Sequence, residues 1–412
     1  MKSKRLLVLL MGLVLVLALA TSPIMSACTT EDEGDGGGPT SIKMGLTTPL
    51  SGDAAAWGIA QLRAVEMLAD EYNAEGGIYI DEAGKKLLIE TIAYDDKYTP
   101  SETAICAARL IEQDEVQFIH NMGEEMATTV APMAREAGII QWGTSWELSD
   151  PNPDFPLSFS DLMRNQEMYG ALVAYFHEQH PEVTKIGSWA LNNAGGLQEH
   201  VLVQVSSEDY GMEVVFWDVF DWGTTDFTPL ILTAMDAGVE AFFSSSAPPD
   251  AVGNFIKQAR DLGFDGYFCV TASETYYIAE IAGAENAEGL LSIGEIGEPL
   301  PEAAQKYADA YLAKYGPPLS TMCLIPWLQG SQPLFQAIER TQSLDAEVIA
   351  EELRTGTFDT VGGECWFGGE EFYGIANQIQ MPMPVSICTD GIPVTVDWVD
   401  AAPYPAEKPV FD

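Results

Sequence analysis

From Ser41 onward, apolar positions in this chain switch repeatedly between a period of two and the period of a helix. Ser41 to Leu46 alternates as a strand, and Ile59, Leu62, Val65, Leu68, Ala69 and Tyr72 share one helical face that stops at Gly76-Gly77. Lys86 to Tyr94 is the next strand, after a turn at Asp81 to Gly84. Thr99-Pro100-Ser101-Glu102 places a capping hydroxyl, a first-turn proline and an acid three residues past the cap, which predicts a helix start. Val116 to His120 reads as a strand, Glu125 to Ala137 as a helix closed by Gly138, and Ile139 to Trp142 as a strand. Such successive strand-helix-strand units imply a parallel sheet covered on both faces.

A loop rich in Asp and Pro, Ser149 to Pro156, interrupts this rhythm, which then resumes. Strands are predicted at Lys185 to Trp189, Met212 to Trp217, Ala241 to Ser245, Tyr267 to Val270 and Gly289 to Ile293. Helices are predicted at Asn165 to His180, Leu197 to Tyr210, Thr228 to Ala237, Pro249 to Leu262, Pro301 to Tyr315 and Thr321 to Thr341, with another near Asp345 and an irregular, strand-rich end from Thr360. The expected architecture is α/β, with two doubly wound parallel-sheet lobes joined by several crossovers.

Ahead of this body, Lys2, Lys4 and Arg5 precede an apolar stretch from Leu6 to Ala20, and Met25-Ser26-Ala27-Cys28 supplies small residues before a cysteine. This is the layout of an export signal, and the apolar stretch is shorter than the roughly 20 residues that span a bilayer. The cysteine resembles a bacterial lipobox, in which Cys28 carries lipid at the mature N-terminus; plain secretion after Ala27 is the alternative. Thr29 to Ser41, with four acids and four glycines, suits a flexible leash for such an anchor.

The 62 acidic and 19 basic residues give a formal charge of -43, spread along the chain. That field repels nucleic acid and anionic lipid, so neither is an expected partner, and it would suit a saline habitat. With Cys28 lipidated, Cys106, Cys269, Cys323, Cys365 and Cys388 remain, an odd number. Cys365 and Cys388, both in strand-like segments, form a candidate disulfide, whereas Cys106 and Cys269 read as core residues. No cysteine has metal-ligand spacing, and His177 and His180, near the end of a surface helix, suit capping its negative pole better than binding a metal. The four histidines (His120, His177, His180 and His200) fit no HExxH motif, and there is neither a GxSxG elbow nor a phosphate-binding loop.

Polar residues instead follow the predicted strands, in the loops Thr47 to Trp57, Asn121 to Glu125, Gly143 to Glu147, Ala190 to Gly196, Ser244 to Pro248 and Thr271 to Glu274. Open α/β sheets bind ligands beyond the carboxyl ends of their strands. Hydroxyls, amides, glycines and aromatics there suit holding a small polar molecule.

Pro49-Leu50-Ser51-Gly52 through Trp57-Gly58, Asn73-Ala74-Glu75-Gly76-Gly77-Ile78, and Gln258-Ala259-Arg260 with Gly263 together resemble the leucine/isoleucine/valine-binding protein family of ABC-transporter receptors. The resemblance covers nearly all of the mature chain. It implies a type I periplasmic-binding fold with a multi-strand hinge and a ligand trapped between lobes. The segments expected are a lipoprotein signal at 1–27, a linker at 28–40, an N-terminal lobe of 41–163 plus 294–365, and a C-terminal lobe of 164–293 plus 366–412. By position, Trp57 matches an aromatic lining the ligand's apolar side, and Thr144 and Ser145 a loop that receives a carboxylate, with Trp146 and Tyr276 able to refill the cleft. Glu124 stands where the family has a carboxylate-binding serine, so either Glu124 or Glu125 meets a cationic or amide group, or the ligand is not a simple amino acid, or both are helix N-terminal charges. In the second lobe Asn193, Ala194 and Ser246 match contact positions, and Thr271 and Ser273 flank the family's amine-binding acid, for which Glu274 is the candidate.

The resemblance thus implies a monomeric, lipid-anchored binding protein that presents an amino acid, or a related amide or amine, to a membrane permease, with no cofactor and no catalysis. A sensor component is the nearest rival. A surface hydrolase using Glu124 and Glu125 is a distant one, because adjacent helical residues point about 100° apart.

Overall fold

Two parallel β-sheets with the same strand order form the frame of the molecule. The computed structural model describes residues 39–52, 54–144, 152–244, 247–271, 274–317 and 321–400, the side chains of 165, 166, 194 and 321–323 apart. The segment expected to be an export leader, and Cys28, lie outside the described residues.

The first half runs β1 (Ile42–Thr48), α1 (Ala55–Ala74), β2 (Ile78–Ile80), β3 (Lys85–Leu87), β4 (Ile89–Asp95), α2 (Pro100–Glu112), β5 (Phe118–Met122), α3 (Glu124–Ala137), β6 (Ile140–Thr144) and β7 (Ser158–Ser160). The second runs α4 (Asn165–Gln179), β8 (Lys185–Leu191), α5 (Ala194–Glu208), β9 (Glu213–Phe220), α6 (Thr228–Ala237), β10 (Ala241–Ser244), α7 (Pro249–Asp261), β11 (Tyr267–Thr271), α8 (Thr275–Ala282), α9 (Ala284–Ala287) and β12 (Leu291–Ile293). The chain then returns through α10 (Glu302–Tyr315), α11 (Thr321–Thr341), α12 (Ala346–Thr355), β13 (Thr357–Thr360), β14 (Gly363–Gly368), α13 (Glu370–Tyr373), β15 (Gln378–Gln380), β16 (Met383–Thr389) and β17 (Ile392–Val399).

Parallel cores of order β4-β1-β5-β6-β7 and β9-β8-β10-β11-β12 place the first strand of each half between its second and third. That reversal of order is the switch point at which doubly wound sheets bind ligands. β13, β14 and β15 extend the first sheet beyond β7, and antiparallel β16 and β17 extend the second beyond β12. Local chemistry sets the boundaries as the sequence predicts: the Thr99 hydroxyl accepts from the Glu102 amide at the start of α2, and Gly138 closes α3 at φ 68°.

Among the described residues the chain passes between sheets three times, at 161–164, 294–301 and 381–382. All three passages meet at a cavity of about 50 Å³ lined by Leu162, Met163, Gly294, Met381 and Pro382. The third corrects the expected lobe boundary after residue 365. β14 runs through that point and pairs with β13 and β15, so 366–380 belong to the first sheet. The candidate disulfide is corrected as well. Cys365 sits in β14 of one sheet and Cys388 in β16 of the other, and both are buried free thiols. Cys106 and Cys269 are buried and free too, as core residues.

The interior is aromatic in both halves. Trp142, fully buried, stacks on Phe159 at 5.9 Å and donates its indole N–H to Gly330 O at 3.0 Å. Trp189 stacks on Phe255 at 4.0 Å.

Candidate ligand cleft

A cleft of about 550 Å³ opens between helices that begin beyond the carboxyl ends of both sheets. One wall is the first half of α1, carrying Ala56, Trp57, Ile59, Ala60 and Arg63, with Tyr311 and Tyr315 of α10 and Leu324 of α11. The other wall carries Pro248, Pro249 and Asp250 at the start of α7, Glu274, Tyr277 and Ile281 on and before α8, and Trp222 after β9. Aromatic rings, carboxylates and a guanidinium face the space, a set suited to stacking and charged hydrogen bonds with a small solute.

Two predicted site residues, Trp57 and Glu274, therefore meet in one cleft from opposite sheets. Trp57 is half-buried, its ring edge-on to Tyr98 at 6.5 Å, and Glu274 is the N-cap residue of α8. Thr144 is buried at the end of β6, where its hydroxyl donates to Asp161 at 2.7 Å. Thr271 is buried at the end of β11, and its hydroxyl has no partner among the described residues, as is also true of Thr48 at the end of β1 and Ser244 at the end of β10. Ser145, Trp146, Ser246 and Ser273 lie outside the described residues, as does the side chain of Ala194.

The structure does not bring every predicted residue to the cleft. Asn193 uses its side-chain oxygen to cap α5, accepting from the Gly196 amide at 2.8 Å. Glu124 and Glu125 occupy the first turn of α3, half-buried and exposed respectively, and neither lines the cleft. They stand where helix-end amides favour negative charge. His120 is fully buried in β5 with neither ring nitrogen partnered among the described residues, and burial lowers its pKa to about 3, so it is a neutral core residue. Among the described residues no group of three or more His, Cys, Asp and Glu is placed to hold a metal ion.

Buried acids tie the end of β6 and the start of α8 to the passages between sheets. Asp161, in the first passage, accepts from Thr144, and burial pushes its pKa up to about 7. Glu295, in the second, accepts from the Thr275 amide at 3.0 Å and from the Thr275 hydroxyl, next to Glu274. Burial, opposed by these hydrogen bonds, raises its pKa to about 8.

Arg63, Tyr311, Tyr315, Trp222 and Asp250 escaped the sequence reading. Arg63 had a usable signal, since positions 57, 60 and 63 recur on one face of a helix already assigned. The tyrosines had none, because Tyr311 reaches Arg63 across 248 residues of chain.

Two doubly wound sheets with a cleft beyond the carboxyl ends of their strands define a two-lobed binding protein. The chain belongs to the periplasmic binding protein family, whose model matches residues 41–388. Membership implies an extracytoplasmic solute-binding protein. A leucine-, isoleucine-, valine-, threonine- and alanine-binding protein of Pseudomonas aeruginosa is 26% identical over 342 residues, covering 79% of this chain and 85% of that protein. A Leu/Ile/Val-binding protein homolog of Brucella abortus is 23% identical over 76% of this chain and 80% of its own length. Among solved structures, an ABC transporter substrate-binding protein from Sphaerobacter thermophilus aligns with a TM-score of 0.76 at 19% identity, covering 89% of this chain and 100% of the other. A branched-chain amino acid transporter substrate-binding protein from Streptococcus pneumoniae, in complex with isoleucine, aligns at 0.72 and 20% identity, covering 87% of this chain and 99% of the other. A Rhodopseudomonas palustris solute-binding protein in complex with benzoate also scores 0.72, at 16% identity over 89% of this chain and 98% of the other.

Proposed function

We propose that this chain is the solute-binding component of an ABC importer, held at the membrane by a lipid on Cys28, and that it closes on an amino acid or a related small amide or amine. The observation that supports this reading is the meeting of Trp57, from the first sheet's side, with Glu274, from the second, across one cleft. A ligand amine on Glu274 and an apolar group on Trp57 are satisfied together only when the walls approach. Closure therefore draws its free energy from contacts that the open state lacks. The three side-by-side passages allow that motion as a hinge while each sheet stays intact.

Calorimetric titration with a panel of amino acids and small amides tests it. One member is expected to bind at micromolar affinity or tighter, and Trp57→Ala and Glu274→Gln should each weaken it by roughly tenfold or more. Flat titrations across the panel would remove the amino-acid reading.

A further inference from the structure

Resting on that reading, we propose that Arg63 anchors a second, anionic group of the ligand, so that the cleft takes a dipolar solute whose acid lies remote from its amine, as in an α-amino dicarboxylic acid. Arg63 follows Trp57 on the cleft face of α1 by six residues, about 9 Å along the helix axis. The cleft therefore continues well past the tryptophan. Its volume of about 550 Å³ lies within the range of pockets that enclose ligands larger than one small amino acid.

The guanidinium is held in place before any ligand arrives. Its Nη1 donates to the Tyr311 hydroxyl, and its central carbon lies 4.6 Å from the Tyr315 ring centroid and 5.4 Å from that of Tyr311. The Tyr315 hydroxyl in turn donates to Glu66 at 2.8 Å, which fixes that ring and occupies an acid one turn along α1. A guanidinium carries five N–H donors in a rigid fork matched to a carboxylate, and one contact to a phenol leaves most of them unused.

In a chain with 62 acids and 19 bases, Arg63 forms no ion pair among the described residues. Lysines on the adjoining α10 do: Lys306 pairs with Glu71 at 2.8 Å and Lys314 with Asp70 at 2.6 Å. Arg109, Arg135, Arg164, Arg260 and Arg354 also lack an ion pair among the described residues, but Arg63 alone of these lines the cleft, where its fork is available to a ligand. The opposite wall carries Asp250 and Glu274. The cleft is thus polarised, cationic on the α1 side and anionic on the α7 and α8 side, which complements a solute with an amine at one end and an acid at the other. The same polarity would disfavour a solute that ends in an amine at Arg63.

The test is calorimetric titration of the full chain with L-glutamate, L-2-aminoadipate, L-glutamine, L-leucine and glutarate, repeated with Arg63→Gln and Arg63→Lys. One or both amino dicarboxylates should bind roughly 10- to 100-fold tighter than L-glutamine and L-leucine. Arg63→Gln should abolish that preference while leaving L-glutamine and L-leucine within about twofold, and Arg63→Lys, which keeps the charge but not the fork, should restore part of it. Equal affinity for acid and neutral side chains, or a preference that survives Arg63→Gln, overturns the Arg63 assignment and leaves the amino-acid reading standing. Binding of glutarate alone, dependent on Arg63, overturns the amino-acid reading and supports the anion site. Silence across all five probes overturns both. Should Arg63→Gln melt well below the parent, the comparison rests on Arg63→Lys, for which an unchanged dicarboxylate affinity refutes a bidentate role.

Discussion

Glu295 offers a quantitative check, because its carboxyl is fully buried beside the cleft and carries a pKa of about 8 against an ordinary value of 4.5. Burial is the leading cause; the Thr275 amide and hydroxyl, which favour the charged form, oppose it, and Glu274 adds to the upward push. An acid whose folded pKa lies above its unfolded one keeps a proton on folding that the unfolded chain releases. Its contribution is therefore intact below about pH 4.5, declines as pH rises, and is lost above about pH 8. The slope is about 1.4 kcal/mol per pH unit, on the order of 5 kcal/mol across the window. Glu295→Gln removes the titration while retaining an oxygen for the Thr275 amide. The variant should equal the parent or fall about 1 kcal/mol short at pH 5, then exceed it by several kcal/mol at pH 8. In calorimetric melts, the difference in melting temperature should change by roughly 2 °C per pH unit for a chain of this size. Other titrating groups, His120 and Asp161 included, are common to both proteins and cancel. Parallel curves without a crossover would show that Glu295 carries no proton in this range, and that the hydrogen bonds from Thr275 outweigh burial.

Other expectations follow from single features. Gly58→Ala, normally favourable within a helix, should lower stability by about 1–3 kcal/mol in urea denaturation, because a Cβ there would fall 1.9 Å from the Pro49 carbonyl oxygen. Reductant should leave the melting temperature unchanged, since Cys365 and Cys388 are free, whereas breaking a native disulfide costs about 2–5 kcal/mol. A charge of -43 should make thermal stability rise with sodium chloride over the first few hundred millimolar, as screening relieves self-repulsion. A melting temperature that is flat with salt would locate the acidic residues too far apart to matter.

The sequence carried the fold because apolar periodicity is a local signal. The helix expected to begin at Glu125 begins at Glu124, and the strand expected to end at His120 runs on to Met122. The same signal fails where pairing partners decide. Residues 357–380 form an antiparallel edge, broken by Gly363 and Gly369 at positive φ, and alternation within them is the same whichever sheet they join. That ambiguity misplaced the lobe boundary and made Cys365 and Cys388 look like partners. At the cleft, Trp57 and Glu274 were legible because both follow parallel strands, whereas the setting of Arg63 between tyrosines of α10 exists only after the chain has returned from the second sheet.

The two halves also repeat a polar device that periodicity does not show. In the first, Thr144 closes the fourth parallel strand and bonds Asp161, just past the fifth; in the second, Thr275 follows the fourth strand and bonds Glu295, just past the fifth. Asp161 stands where the chain leaves the first sheet, and Glu295 a few residues before it leaves the second, where Glu298 still bridges Val394 of β17; Thr144 ends β6, and Thr275 adjoins Glu274 of the cleft wall. Movement of the end of β6 or the start of α8 must therefore either carry its passage along or break a buried hydrogen bond, which costs about 1–3 kcal/mol. Such a tie makes each half turn as a unit about the passages and confines the hinge to the short segments beyond the acids. If the ties are equivalent, Asp161→Asn should reproduce the Glu295→Gln behaviour over a lower window, its stability gain over the parent growing between about pH 4 and 7 and then levelling. Chemical denaturation at half-unit pH steps reads that plateau. A gain that keeps growing to pH 8.5, or none at all, would show that the two acids are not counterparts.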